Sequence, residues 1–528
     1  MKRLFSAVVA AALAAAAGAA EFTLAPAGTN DMTDAVMSAF DGCRLAGGGK
    51  VVFAPGEYHF RSPLKQTMYV SNHDNPMPRN VFLAVVGLSG VDIASKGARF
   101  VFHGEGIALA LVDCRDVSVT GVAFDYARPY FTEMRLVGGR LDYAGCGYPC
   151  KVENGKLFAV GPGWKEPQHL AAFFDRDTRR ILGVKWWNGD VEHAFTGYPD
   201  GTIAVTRNGY RPNPCVFLYR SHDVTFAGCG AYSSAGMGLI AQRSSDVTVT
   251  GWKTRGGRQT ALQADATHFS NCRGTIRVEN SLFEGMLDDA INVHSTCLKI
   301  IGKPSADRIV CRYMHVQSVG FEVFLPGETL RFIKGSTLEP GCEAVVKEVR
   351  TLAYDRVELR LGNPVPAGYG VGDAVENADW QPAVVFRGNT VRNSSPRATL
   401  FTTPKPVVCE SNRFEHVAGQ PILFGGDAWD WYESGACRDV VIRGNSFIGC
   451  AYLSGKGMIQ INPAVHDLAS QKKRYHRNII VEDNLFRDFT KPLVWGLSAE
   501  NLVFRGNRII NGNTRMELKG VEKVVTDF

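Results

Sequence analysis

An all-β fold, a right-handed parallel β-helix carrying two inserted antiparallel β-barrel-like domains, is expected of this 528-residue chain on three grounds. A short strand-and-turn pattern recurs along the sequence. Its interval is repeatedly 23 residues. Helical periodicity is almost absent between the repeats, and the 56 glycines suit a chain made of many turns.

The repeats read VSVTGV from Val117, VTFAGC from Val224, VTVTGW from Val247 and TIRVEN from Thr275. They continue as VVFRGN from Val384, VVCESN from Val407, VVIRGN from Val440, IIVEDN from Ile479 and LVFRGN from Leu502. Each alternates apolar and polar residues with period two and ends in a turn signal, the signature of a brief strand. Cys229 to Trp252, Asn389 to Asn412 and Asn484 to Asn507 are each 23 apart, so the units stack as coils of a solenoid at the strand spacing. The Asn residues at 280, 389, 412, 445, 484 and 507 are expected to form a ladder, each tolerating a left-handed turn. Cys114, Ser221, Ser244, Cys272 and Cys437, eight residues earlier, form a second ladder of small buried side chains.

The repeat organises the rest. Residues 1–20 read as an export signal: Met1-Lys2-Arg3, an apolar Ala-rich run, and Ala17-Gly18-Ala19-Ala20 for cleavage. Residues 21–127 hold an N-terminal cap and the first coils, the one helix being expected over Asn30 to Ala46, with Ala35, Met37, Ala39 and Phe40 as its apolar stripe. Residues 128–213 and 298–381 lack the repeat but alternate like antiparallel strands, and are the two insertions. Residues 214–297 and 382–528 are further coils. No later stretch is apolar enough to span a membrane, so the mature protein is expected to be periplasmic or secreted. The formal charge of +6 carries no basic cluster, which argues against nucleic acid as a partner. Thirteen Cys is an odd number. Cys146 and Cys150 could bridge a turn, while most of the others read as buried thiols, and none has zinc spacing.

The chemistry is expected between Asp265 and Asn292. Asp265 and Asp288 are 23 apart, which would stack their carboxyls on neighbouring coils with Asp289 beside them. Three acids this close cannot all ionise cheaply, so at least one is held protonated. That suits glycosidic hydrolysis, in which one carboxylic acid protonates the leaving oxygen and another activates water. A calcium site or plain turn capping by Asp would use the same residue type. His268 and His294 flank the acids, and Trp429, Trp431, Tyr432 and Glu433 lie in a polar, Gly-bounded loop where aromatic faces could meet sugar rings.

The run ATHFSNCRGTIRVENSLFEGMLDDAINVH resembles glycoside hydrolase family 110. So do Tyr69 to Asp74, Phe100 to Gly104, Pro396-Arg397 through Pro404, and Trp431 to Gly435. The resemblance implies an exo-acting α-1,3-galactosidase that inverts and uses no cofactor or metal. It implies Asp288 as general acid, with Asp265 and Asp289 holding or activating water. The substrate would be an oligosaccharide or glycoconjugate ending in α-1,3-galactose, of blood-group B type or linear. His268, Asn292, His294, Arg397, Trp431 and Glu433 are the residues expected to hold the sugar. Two other readings stay open. A polygalacturonase-like hydrolase would want a Gly-His-Gly and a basic pair near the acids, and neither occurs. A non-catalytic glycan-binding β-helix or adhesin would bind without hydrolysis.

Overall fold

The computed structural model describes residues 20–74, 78–142, 149–186, 191, 195–254 and 256–527. The signal segment before Ala20, and Cys146 of the suggested turn bridge, lie outside them. The chain winds as a parallel β-helix with three sheets. One sheet runs through His222–Ala227, Ser245–Thr250, Thr275–Glu279, Ala383–Arg387, Val407–Glu410, Val440–Arg443 and His476–Glu482, all paired in parallel. A second is built of three-residue strands such as Arg413–Glu415, Ser446–Ile448 and Leu485–Arg487. The third, which carries the site, stacks Val216–Tyr219, Leu239–Gln242, Thr267–Ser270, Ile291–Ser305, Thr399–Phe401 and Ile422–Phe424.

Alternation along each strand sends every second side chain inward. Phe414, Phe447 and Phe486 from successive coils stack with ring centroids 4.9 and 4.6 Å apart, the strand spacing itself. The helix Thr33–Leu45 packs on the N-terminal coils through Val36, Ala39, Phe40 and Cys43. Ala35 and Met37 of the expected stripe are only partly buried. The small-residue ladder is present: the Ser221 backbone N–H donates to Ser244 Oγ, and that of Cys114 to Ser221 Oγ, each at 3.1 Å. Cys114, Cys272 and Cys437 are buried free thiols.

The Asn ladder is real at 389, 412, 445, 484 and 507 but differs from expectation in two ways. The left-handed residue is the one before each Asn: Gly388, Ser411, Gly444, Asp483 and Gly506. The Asn side chain turns inward, where its Oδ1 accepts the backbone N–H of the ladder residue one coil earlier. Asn280 is not a rung. It is itself the left-handed residue, at φ 51°, and Ser281 takes the rung, its N–H donating to Asn389 Oδ1 at 3.0 Å. Because these contacts are buried, Asn445→Ala should orphan the Asn412 N–H and the Cys409 carbonyl. The expected loss is about 2–3 kcal/mol of unfolding free energy. An unchanged denaturant midpoint would show that the ladder contributes nothing.

Both insertions leave the solenoid beside the third sheet. In the first, Arg140–Asp142, Thr132–Val137, Ile203–Arg207, Leu170–Phe174 and Ile181–Trp186 form a five-stranded antiparallel sheet, in that order, next to a three-stranded one. The second closes on itself. Strand Ile291–Ser305 runs on out of the solenoid and pairs with Arg308–Arg312, which pairs with Arg356–Leu361, then Pro340–Ala353, Thr329–Ile333 and Ala374–Asn377, and so back to the first. This six-stranded barrel has its own apolar core around Leu298, Phe332 and Leu359.

Candidate active site

The site lies on the outer face of the third sheet. In Thr267–Ser270 the inward residue is Phe269, which joins the solenoid core, so His268 and Ser270 face out. In the next strand Ile291 and Val293 point in, and Asn292 and His294 point out. Two segments cover this face. Glu433–Ser434 pairs antiparallel with Ser295 and Thr296. The segment around Tyr69 and Ser71 is held by Gln242, which accepts from the Ser71 N–H at 2.9 Å and donates to the Tyr69 carbonyl at 3.0 Å.

The acids sit in the turns entering these strands, and their register is one residue away from expectation. Thr267 pairs with Ile291, a step of 24 rather than 23. Asp265 therefore stacks on Asp289, not on Asp288. The Asp289 N–H donates to Asp265 Oδ1 at 3.1 Å, and the Ala266 N–H to the Asp289 carbonyl at 2.7 Å. The surplus residue is the same one that puts Ser281 rather than Asn280 on the ladder. Asp288 projects instead toward the cavity, its side chain 15% exposed, while Asp265 and Asp289 are buried. One oxygen from each of the three lies within 4.8 Å of the others.

Arg397 knits the trio together. Its Nε and Nη2 donate to the two oxygens of Asp289 at 2.7 and 2.9 Å, and Nη2 also reaches Asp288 Oδ1 at 3.0 Å. Arg211 donates to Asp288 Oδ2 at 3.2 Å. Burial, with the Asp288 charge beside it, pushes the Asp265 carboxyl well above the ordinary carboxylate range. Burial also pushes Asp289 up, against the pull of Arg397. Burial would depress the Arg397 guanidinium, but Asp289 and Asp288 outweigh it and raise it. These residues do not fit a hard cation. The oxygens of Asp288 and Asp289 that such an ion would take are already engaged by the Arg211 and Arg397 guanidiniums, which would also repel it.

The structure brings all the expected residues to one place but not all to the cavity. Asp265, Asp288, Asn292, Arg397, Trp431 and Glu433 line a pocket of about 220 Å³. Among the described residues the Asn292 Oδ1 is buried without a hydrogen-bond partner. His268 and His294 are not in contact range of a sugar. Both are fully buried behind Asp265, in the order Asp265 Oδ2, His268 Nδ1 at 2.7 Å, then His268 Nε2 to His294 Nε2 at 2.8 Å. Trp431 stacks on His315, ring centroids 3.8 Å apart. Its neighbours in the aromatic loop part company: Tyr432 is buried, and Trp429 is 67% exposed and rests on His466. Asn72, which donates to Glu433 Oε1 at 2.9 Å, and Arg211 also line the pocket. Arg211 does not stand out in the sequence, and Asn72 enters it only within the Tyr69 to Asp74 run of the resemblance, since each arrives from a distant loop.

Over 500 aligned residues the chain is 33% identical to alpha-1,3-galactosidase B of Parabacteroides distasonis, an alignment covering 87% of this chain and 81% of that one. The chain belongs to the alpha-1,3-galactosidase family. It is 39% identical to alpha-1,3-galactosidase B of Akkermansia muciniphila over 96% of this chain and 67% of that protein. Among solved structures, a family 28 exopolygalacturonase of Yersinia enterocolitica aligns over 95% of this chain and 77% of its own, with 12% identity and a TM-score of 0.45. The profile of GLAA-B beta-barrel domain II matches residues 308–375, which lie within the closed barrel. In this galactosidase-family glycosidase that barrel backs the site without lining its pocket. Its His315 carries Trp431, and its Gln317 donates to Asp74 Oδ1 at 2.8 Å, tying the barrel to the segment that bears Asn72.

Proposed function

We propose that the chain is an exported, exo-acting glycosidase that releases terminal galactose from alpha-1,3-linked galactosides with inversion. The observation that carries this reading is one carboxyl trio, braced by Arg397, with Asp288 and Asp265 on the wall of a pocket of about 220 Å³. Asp288 is the acid. Its side chain is the most exposed of the three to the pocket, where it can protonate the glycosidic oxygen. Asp265 takes the proton of the attacking water, with Asp289 braced behind it. Asn292 and Glu433 accept from sugar hydroxyls, and Trp431 offers an apolar face.

The carboxyl spacing bears on stereochemistry. Oxygens within 4.8 Å are closer than the roughly 6.5–9.5 Å usual for inverting pairs. What favours inversion is how the oxygens are engaged. Both oxygens of Asp289 are gripped by Arg397, and Asp265 is tied to His268 and the Asp289 N–H. Neither presents a free oxygen to attack carbon, yet Asp265, which lines the pocket, retains a lone pair that can orient water. An α-1,3-digalactoside and the branched blood-group B trisaccharide, incubated side by side and followed by NMR, should release β-galactose first. Release of the α-anomer first overturns the inverting assignment. No release from either overturns the activity and favours a binding protein. Export is supported by the basic start and Ala-rich run before Ala20. It predicts a mature N-terminus near Glu21 on the periplasmic or secreted protein.

A further inference from the structure

We propose that Asp265 holds the catalytic proton of the resting enzyme, and that His268 and His294 are positioning residues which keep it there until it passes to Asp288. The inference rests on the acid–base reading above and names where its proton waits.

The argument starts from an atom whose role is fixed. A backbone carbonyl only accepts, so His294 Nδ1, 3.1 Å from the Ser295 carbonyl, carries a hydrogen. A neutral His294 then has Nε2 as acceptor. His268 Nε2, 2.8 Å away, must therefore be the donor. A neutral His268 in turn has only an acceptor at Nδ1, so the 2.7 Å contact with Asp265 Oδ2 needs its hydrogen from the carboxyl. The chain closes only if Asp265 is a carboxylic acid.

The other way to satisfy these contacts places a charge on an imidazole, and the surroundings oppose it. Both rings are fully buried. His268 is faced by Asp265, His294, Glu433, Asp288, Arg211 and the buried His73 of the covering segment, and burial with the neighbouring imidazole holds its pKa well below the ordinary value. His294 lies 3.5 Å from Glu433 Oε1, beyond hydrogen-bond length, and that oxygen already accepts from Asn72. Asp265 itself is faced by Asp288, Asp289, Arg397 and Arg211. Of the three acids it alone touches no guanidinium through a hydrogen bond, so the single proton is cheapest there.

This resting state is also the state an inverting turnover leaves behind. Asp288 gives its proton to the glycosidic oxygen as the bond to the anomeric carbon breaks. Water bonds to that carbon and gives its proton to Asp265. The products are galactose and the leaving alcohol, with Asp288 ionised between Arg211 and Arg397 and Asp265 protonated against His268. One transfer from Asp265 to Asp288, across less than 4.8 Å or through one water, restores the acid and the base together without a proton from outside.

Neutron diffraction from deuterated crystals reads the assignment without any turnover. The expected result is deuterium on Asp265 Oδ2, on His268 only at Nε2, and on His294 only at Nδ1. Deuterium on both nitrogens of either ring overturns the proposal. The pH profile of kcat/KM for the α-1,3-digalactoside supplies the functional arm. In His268→Gln the amide can donate to Asp265, which favours its ionised form, so the trio loses its proton earlier. The alkaline limb should move to lower pH by about one unit or more. A lowered rate with an unmoved limb would assign His268 to packing alone and overturn the positioning role. Absence of hydrolysis in the wild type would sink the glycosidase reading, while the neutron result would still decide where the proton sits.

Discussion

Asp288→Asn should lower kcat/KM on an α-1,3-digalactoside by about 10³-fold, within the range that general acid catalysis contributes, and leave the fold intact. The substitution is nearly isosteric. The Asn Oδ1 can still accept from Arg397 Nη2, where Asp288 Oδ1 now does at 3.0 Å. The amide nitrogen would face Arg211 Nη2, currently 3.2 Å from Oδ2, and donor would meet donor. Because Arg211 is partly exposed to the cavity, it can turn toward solvent, so the cost to stability is small. What Asn cannot do is deliver a proton to a departing sugar oxygen. The leaving group provides the control. An aryl α-galactoside, whose phenolate departs with little protonation, should lose far less activity than the digalactoside. Equal losses on both would point to a damaged site rather than a missing acid. A variant within tenfold of wild type on the digalactoside would remove Asp288 from the acid role.

The fold was legible because its signal is periodic, and the site was legible where it shares that period. The units from Val384 to Asn507 announce themselves through turns ending in Asn, two of whose gaps are 23 residues (Asn389 to Asn412 and Asn484 to Asn507), and the same count drew attention to Asp265 and Asp288. It also misled by one residue. At Asn280 the turn uses a left-handed Asn followed by Ser281, where the later coils place a left-handed Gly, Ser or Asp before the ladder Asn. A one-residue slip in a strand turns every side chain over, yet here the slip falls in a turn, so the trio stays together and only the partner changes. Arg397 was legible only through the resemblance carried by Pro396-Arg397 through Pro404, and the structure then shows that it precedes the strand Thr399–Phe401 as Asp289 precedes Ile291. Arg211 was not legible at all, and Asn72 only as part of the Tyr69 to Asp74 run. They come from a loop that follows the first insertion and from a segment folded over the outer face of the sheet, and no spacing in the sequence links them to a coil. The role of the histidines could not be read at all, because period-two alternation puts His268 and His294 on the outer face and only the covering strand and barrel show that this face is buried.

Arg397→Ala should be the most destabilising single change at the site, and the size of the loss should depend on pH. Asp289 is fully buried and receives both of its side-chain hydrogen bonds from this one guanidinium. Removing one partner of a buried charge pair costs about 3–5 kcal/mol when the other charge must stay. Asp289 has an escape, which is to bind a proton. Burial already pushes its carboxyl well above the ordinary range, with Arg397 as the main opposing pull, so without the arginine its folded-state pKa climbs further. A carboxyl whose folded pKa exceeds its unfolded value stabilises the fold most below the unfolded value. That contribution is lost as pH rises through the folded pKa. The variant's deficit, measured by denaturant unfolding, should therefore be smallest in mild acid and grow toward alkaline pH. A deficit that is flat with pH would mean that Asp289 does not titrate in the variant, and wild-type stability at alkaline pH would mean that the fork contributes nothing. Arg397→Lys separates charge from geometry. A lysine restores a positive charge but cannot span both oxygens of Asp289 and reach Asp288 at once. It should recover part of the stability and little of the activity, because the carboxyl trio is held in register by the planar fork rather than by charge alone.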